Sequence, residues 1–331
     1  MKMRIMKKIS ACLLTGAMAV SLFSACGASS AGSSGSNSSK IMFVTTDTED
    51  AYRKLLTEGM AKAASEAGVT MDEVDCGNDV EAQVEATRKA ASGGYGAVIC
   101  RLADSSTAPQ IELAAGNLPV IYVNNQPDES ALSADKYMYV ASDETESGKD
   151  QAEYVINKLG KSEMNIIILE GEKGHSATVA RTAAVKNTLT DNGIKYNVVF
   201  QDYANWSDTE ARQKLNLFFR TGQSVDAIFC NNDTMALGAV EALKDNGLDP
   251  AQIPVTGVDA TADGCASIKA DEMAFTVFQN ANGQAAKAIE IATALASGKS
   301  AKGIEGVSDD LLYGWVPFEA VDASNVADYM N

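Results

Sequence analysis

Nine side chains able to hydrogen-bond or stack fall just beyond short apolar runs. Asp50 and Tyr52 follow the run 41–46, and Asn124 ends the run 118–124, with Asn125 next to it. His175 and Arg181 follow 165–169, Trp206 follows 197–201, and Asn232 follows 225–230. Asp259 follows 254–258, and Gln279 follows 275–278. Amides, carboxylates and a guanidinium held in place match the hydroxyl groups of a sugar, which donate and accept at once. The apolar C–H faces of a pyranose call for aromatic plates, which Tyr52 and Trp206 would supply from opposite sides. Each residue also has a plain structural reading. Asp50, Asp259 and Asn232 suit turns, Asn124-Asn125 the start of a loop, Tyr52 a helix surface and Trp206 a core. Their common position at strand ends favours a shared role.

The elements that would position them alternate. Strands are expected at 41–46, 71–76, 95–101 and 118–124, with helices at 52–67, 81–91 and 108–115 between them. The run 137–141 reads as a strand crossing out of this unit. The pattern then restarts: helix 150–159, strand 165–169, helix 177–189, strand 197–201, helix 209–219, strand 225–230 and helix 234–244. Strands at 254–258 and 275–278 and a helix at 283–296 close it. In Val225-Asp-Ala-Ile-Phe-Cys-Asn-Asn-Asp233, Asn232 is placed to donate and accept, and Asp233 to cap the following helix. Repeated β-α-β units with continuous apolar strands predict an α/β fold with parallel sheets covered on both faces. Ligands bind such folds beyond the carboxyl ends of the strands. Two units predict two lobes with a cleft between them.

The 331 residues suit about two domains, and a formal charge of −17 argues against nucleic acid. Lys2, Arg4, Lys7 and Lys8 precede the short apolar run 9–23, a secretory signal rather than a membrane span. Residues 27–39 are rich in Gly, Ser and Ala and read as a flexible tether. Cys76, Cys100, Cys230 and Cys265 form no close pair and are expected as free thiols, without a disulfide framework or a zinc site.

Leu22-Phe-Ser-Ala-Cys26 resembles a bacterial lipobox, departing from it at Phe23; the resemblance implies lipidation of Cys26. Five stretches resemble the sugar-binding proteins of ABC transporters in the ribose/galactose group, most of all the galactose/glucose-binding proteins. They are Tyr139-Val-Ala-Ser-Asp-Glu-Thr-Glu-Ser-Gly148, Gly171-Glu-Lys-Gly-His175 with Ala180-Arg-Thr182, and Asn231-Asn-Asp-Thr-Met-Ala-Leu-Gly-Ala-Val-Glu-Ala-Leu243. Val255-Thr-Gly-Val-Asp-Ala260 and Thr276-Val-Phe-Gln-Asn-Ala-Asn-Gly-Gln284 extend the match over most of the chain after 40.

The resemblance implies the type I periplasmic binding protein fold: two similar doubly wound parallel-sheet lobes joined by three hinge crossings. It gives a signal peptide at 1–25, a tether at 26–39, an N-terminal lobe at 40–142 and 279–314, and a C-terminal lobe at 143–278 and 315–331. It assigns Asn124, Asn232 and Asp259 to polar contacts, Arg181 and His175 to ring hydroxyls, and Trp206 to stacking. Gln279 supplies the last amide, a choice closer to the ribose-binding members. The first loop is shorter than in the galactose/glucose proteins, so Glu49 and Asp47 compete with Asp50. Ala177 stands where those proteins place an aspartate. The segment 159–165 carries one acid where some relatives have a calcium loop, so no calcium site is expected.

The expected function is capture of a monosaccharide, galactose or glucose first, by hinge closure outside the membrane, with delivery to ABC permease subunits. No cofactor or catalytic group is expected, and the chain is expected to be a monomer held to the cell membrane by its lipid. A pentose such as ribose or xylose, or a role as sugar sensor for a chemoreceptor or sensor kinase, are the alternatives. A repressor would need a helix-turn-helix where the leader and tether stand. An enzyme such as a sugar hydrolase would have the single histidine, His175, and a carboxylate pair near the cleft to work with. No nucleophile motif such as G-x-S-x-G is present, however, and the acids sit in binding motifs.

Overall fold

Burial on both faces is what the apolar runs encode. Ile41 and Phe43 enter one core layer, while Met42 and Val44 enter the layer on the opposite side. Ile167 and Leu169 against Ile166 and Ile168 repeat this in the second sheet. A strand with no solvent face belongs inside a sheet covered by helices. The computed structural model describes residues 40–46 and 49–330, all within one unit, Ser36–Asn331. The expected leader, Cys26, the tether and Asp47 lie outside the described residues.

The first lobe runs β1 (Lys40–Thr45), α1 (Ala51–Glu66), β2 (Thr70–Asp75), α2 (Val80–Ser92), β3 (Ala97–Cys100), α3 (Ala108–Ala115), β4 (Val120–Val123) and β5 (Tyr137–Ala141). The chain then crosses into α4 (Glu144–Leu159), β6 (Glu163–Glu170), α5 (Ser176–Asp191), β7 (Lys195–Tyr203), α6 (Asp208–Phe219), β8 (Ala227–Cys230) and α7 (Asp233–Asp245). After β9 (Val255–Thr256), α8 (Ala262–Lys269) and β10 (Phe275–Phe278) it returns through α9 (Ala281–Ala296) to β11 (Tyr313–Trp315). It crosses a third time to β12 (Glu319–Asp322).

The sheets read β2-β1-β3-β4-β5-β11 and β7-β6-β8-β9-β10-β12. All neighbours are parallel except β10 and β12, an antiparallel edge that the parallel expectation did not include. Strand order reverses between β1 and β3, and again between β6 and β8. Those are the switch points where such sheets open a crevice.

Four elements differ from the sequence reading. Tyr137–Ala141 is an inner strand of the first sheet, and the crossing comes after it. Trp315 pairs with Ala141 in that sheet, so the third crossing begins at Val316, one residue past the expected break. Helix α4 starts at Glu144, six residues early, because Asp143 caps it through the Thr145 amide. Its polar first turn hides Gly148, where a Cβ would stand 2.3 Å from the Arg181 carbonyl; α4 and α5 pack that closely. Helix α8 is an eight-residue helix that the sequence reading did not include, capped by Thr261 through the Gly264 amide.

Candidate ligand-binding site

All nine expected residues line one cavity between the lobes. Asp50, Tyr52 and Asn124 come from the first lobe, His175, Arg181, Trp206, Asn232 and Asp259 from the second, and Gln279 from a crossing. Ala177 lines it too, and so does Arg53, which the sequence reading missed.

Helix starts place many of these groups. Asp50 caps α1 by accepting from the Arg53 amide at 2.9 Å. Asn232, not Asp233, caps α7: its Oδ1 accepts from the Met235 amide at 3.0 Å. Asp233 instead sits fully buried in the first turn. It accepts from the Thr261 amide at 2.7 Å and from the Thr276 hydroxyl at 2.5 Å, tying the β9–α8 loop to β10. Burial raises its pKa from 3.8 to about 7, against the pull of those hydrogen bonds. His175 caps α5, its Nδ1 accepting from the Ala177 amide at 3.2 Å. Burial first, and then Arg101, Arg53 and Arg181, hold its pKa well below the usual value, so the ring is neutral.

Arg181 is the most constrained group. It donates from Nε to Glu144 at 2.6 Å, from Nη1 to the Asn231 carbonyl at 2.6 Å, and from Nη2 to Gln279 Oε1 at 3.1 Å. Burial opposes its charge, but Glu144 and Asp259 beside it outweigh that and hold the pKa above the usual value. For Glu144 itself, burial raises the pKa more than Arg181 lowers it. Gln279 Nε2 is buried with no protein partner among the described residues, a donor left over for a ligand. Asp259 stands at φ 118°, and among the described residues no side-chain hydrogen bond reaches its carboxylate. Burial raises its pKa well above 3.8, against the pull of Arg181.

Trp206 meets His175 edge-on, with ring centroids 5.3 Å apart at 77°. Its indole lies over Gly171, where any Cβ would come within 2.1 Å of the ring. Tyr52 is fixed by a 2.7 Å bond from its hydroxyl to Gln284, which in turn donates to Ser142 of the first crossing at 3.0 Å.

Cross-lobe contacts ring the cavity. Arg53 Nη2 meets Glu172 Oε1 at 2.8 Å. Ser176 hydroxyl accepts from the Gln126 amide at 2.9 Å, and its own amide donates to Asn125 at 3.3 Å. Arg101, just past β3, reaches Asn124, Thr46 and His175. The strand-end logic that selected its neighbours applies to Arg101 as well, but it reads as the polar end of a strand.

Among the described residues lining the cavity, none pairs an activated nucleophile with a base; the lining offers hydrogen-bond donors, carboxylates and an aromatic plate. Comparison with known proteins agrees. A family model described as a periplasmic binding protein domain matches residues 41–300. The D-galactose/methyl-galactoside binding periplasmic protein MglB of Haemophilus influenzae is 32% identical over 257 residues, 72% of this chain and 76% of that protein. The ribose import binding protein RbsB of Bacillus subtilis is 31% identical over 227 residues, 68% of this chain and 70% of that protein. A solved ABC transporter solute-binding protein from Bacillus halodurans with bound myo-inositol superposes with a TM-score of 0.78 at 28% identity. It covers 89% of this chain and 99% of that one. The chain belongs to the periplasmic binding protein family, in the ribose/galactose group of sugar-binding components of ABC transporters, which are extracytoplasmic binding proteins and not enzymes.

Proposed function

We propose that this protein captures one monosaccharide in pyranose form, galactose or glucose first, and presents its closed form to the permease subunits of an ABC transporter. The observation that carries this is the convergence of Trp206, Arg181, Asn232 and Asp259 with Asp50, Tyr52 and Asn124 of the other lobe on one cavity. Ligand contacts from both lobes favour the closed arrangement over an open one, which couples capture to hinge motion. Cys26 carries the lipid that holds the protein to the cell membrane, and the protein acts as a monomer.

A second reading is a cyclitol. The solved neighbour holds myo-inositol, a ring of six hydroxyl-bearing carbons with no anomeric centre.

The test is calorimetric titration of protein starting at Ser29, unfolded and refolded to strip carried ligand, with galactose, glucose, ribose, xylose, arabinose and myo-inositol. One-to-one binding of galactose or glucose, lost in Asp259→Ala, is expected. Binding of myo-inositol alone moves the assignment to a cyclitol, and binding of a pentose alone overturns the hexose. No heat with any of them overturns simple sugar capture.

A further inference from the structure

We propose that Arg101 is a positioning residue that orients Asn124 and His175 so that the N–H groups of this wall of the cavity face the ligand and read one of its acceptor oxygens. The inference deepens the sugar reading and rests on it only for the ligand.

Arg101 is 1% exposed, and among the described residues no carboxylate pairs with it. Its partners are neutral: Nε donates to Asn124 Oδ1 at 2.8 Å, Nη1 to the Thr46 hydroxyl, and Nη2 lies 3.4 Å from His175 Nε2. A buried guanidinium whose partners among the described residues are all neutral is costly and is kept where its geometry is needed. Here two cavity residues depend on it. Asn124, held at φ 63°, is oriented by the bond its Oδ1 accepts from Arg101, which turns its amide N–H groups, with the second lone pair of Oδ1, toward a ligand.

His175 is the chain's single histidine. Its Nδ1 accepts from the Ala177 amide, and a neutral imidazole has one acceptor nitrogen, so Nε2 carries the hydrogen. Nε2–H and Arg101 Nη2–H are then two donors 3.4 Å apart. The charged groups around the ring are Arg101 beyond β3, Arg53 on α1, Arg181 on α5, and Glu172, which pairs with Arg53. The three cations and burial keep the ring neutral and the cap intact. A ring oxygen, a carboxylate or a hydroxyl that sends its own hydrogen to a cavity carboxylate satisfies this wall. A group that must donate there meets only the second lone pair of Asn124 Oδ1.

A single histidine makes the test direct. Protein labelled with ¹⁵N-histidine and free of ligand should show the neutral Nε2–H tautomer across about pH 5–8 by NMR. Arg101→Met should move the imidazole titration upward by about one unit or more. It should also weaken the best-binding sugar of the panel about tenfold or more. Arg101→Lys keeps the charge and loses the fork to Asn124, so the titration should stay while affinity still falls.

A wild-type Nδ1–H tautomer overturns the proposal. So does Arg101→Met with an unmoved titration or affinity within about twofold of wild type. If Arg101→Met fails to fold, wild-type affinity in Arg101→Lys overturns it equally. If no sugar binds the wild type, the sugar reading fails by itself, and the imidazole signals still decide the role of Arg101.

Discussion

Arg53 on α1 and Glu172 beyond β6 close over the cavity from opposite lobes, Nη2 to Oε1 at 2.8 Å. Arg53 is buried and Glu172 about a third exposed, so the pair forms only when the lobes meet and salt partly screens it. Glu172→Gln should weaken ligand binding about fivefold, roughly 1 kcal/mol, mainly through faster release. Stopped-flow release rates at low and at high salt check this; wild-type release in the variant would remove the latch.

Gly171 and Trp206 predict a paired effect. Trp206→Ala should cost about tenfold or more in affinity by removing the aromatic plate. Gly171→Ala should cost nearly as much without touching a polar contact, because its Cβ displaces the indole. Titration calorimetry reads both, and near-ultraviolet circular dichroism follows the ring, since Trp315 is the only other tryptophan. Unaltered binding in Gly171→Ala would show that the indole does not set affinity.

Asp233 predicts how stability depends on pH. Its pKa is raised from 3.8 to about 7 in the folded protein, so the folded state binds the extra proton. Stability is then fully present below about pH 4 and is lost as pH rises through about 7. Thermal unfolding of wild type and Asp233→Asn from pH 4 to pH 8 should show a smaller fall for the variant. Parallel curves would assign the slope to other groups, Asp259 first, whose pKa burial raises in the same direction.

Cys26 predicts location. Cys26→Ser should move the protein from the membrane fraction to the soluble extracytoplasmic fraction, and mass spectrometry of the wild-type N-terminus should find lipid on the cysteine. An unmodified wild-type N-terminus would leave only an ordinary signal peptide.

The long α/β elements were legible because a strand buried on both faces must be continuously apolar, as in Ala227–Cys230, and a capped helix announces its start. Short or polar elements were not. The first turn of α4 shows Glu144, Ser147 and Gly148, which the sequence reads as a loop; packing against α5 makes them buried helix. Asp233 reads as a cap by spacing alone, yet the cap is Asn232, because Thr261 and Thr276 lie close enough in space to bind Asp233 instead.

By itself the sequence determined the fold class and the nine strand-end residues, since both follow from local periodicity and from the rule that parallel strands end on one edge. Tertiary structure alone decided how those residues are used. It bound Asn124's oxygen to Arg101, left Gln279's donor and Asp259's carboxylate without a side-chain partner among the described residues, and set Arg53 against Glu172. Hydrogen-bond partners 23 or 98 residues apart are fixed by which strand ends lie side by side, and partners 119 apart by how the two lobes meet, which no window of sequence contains.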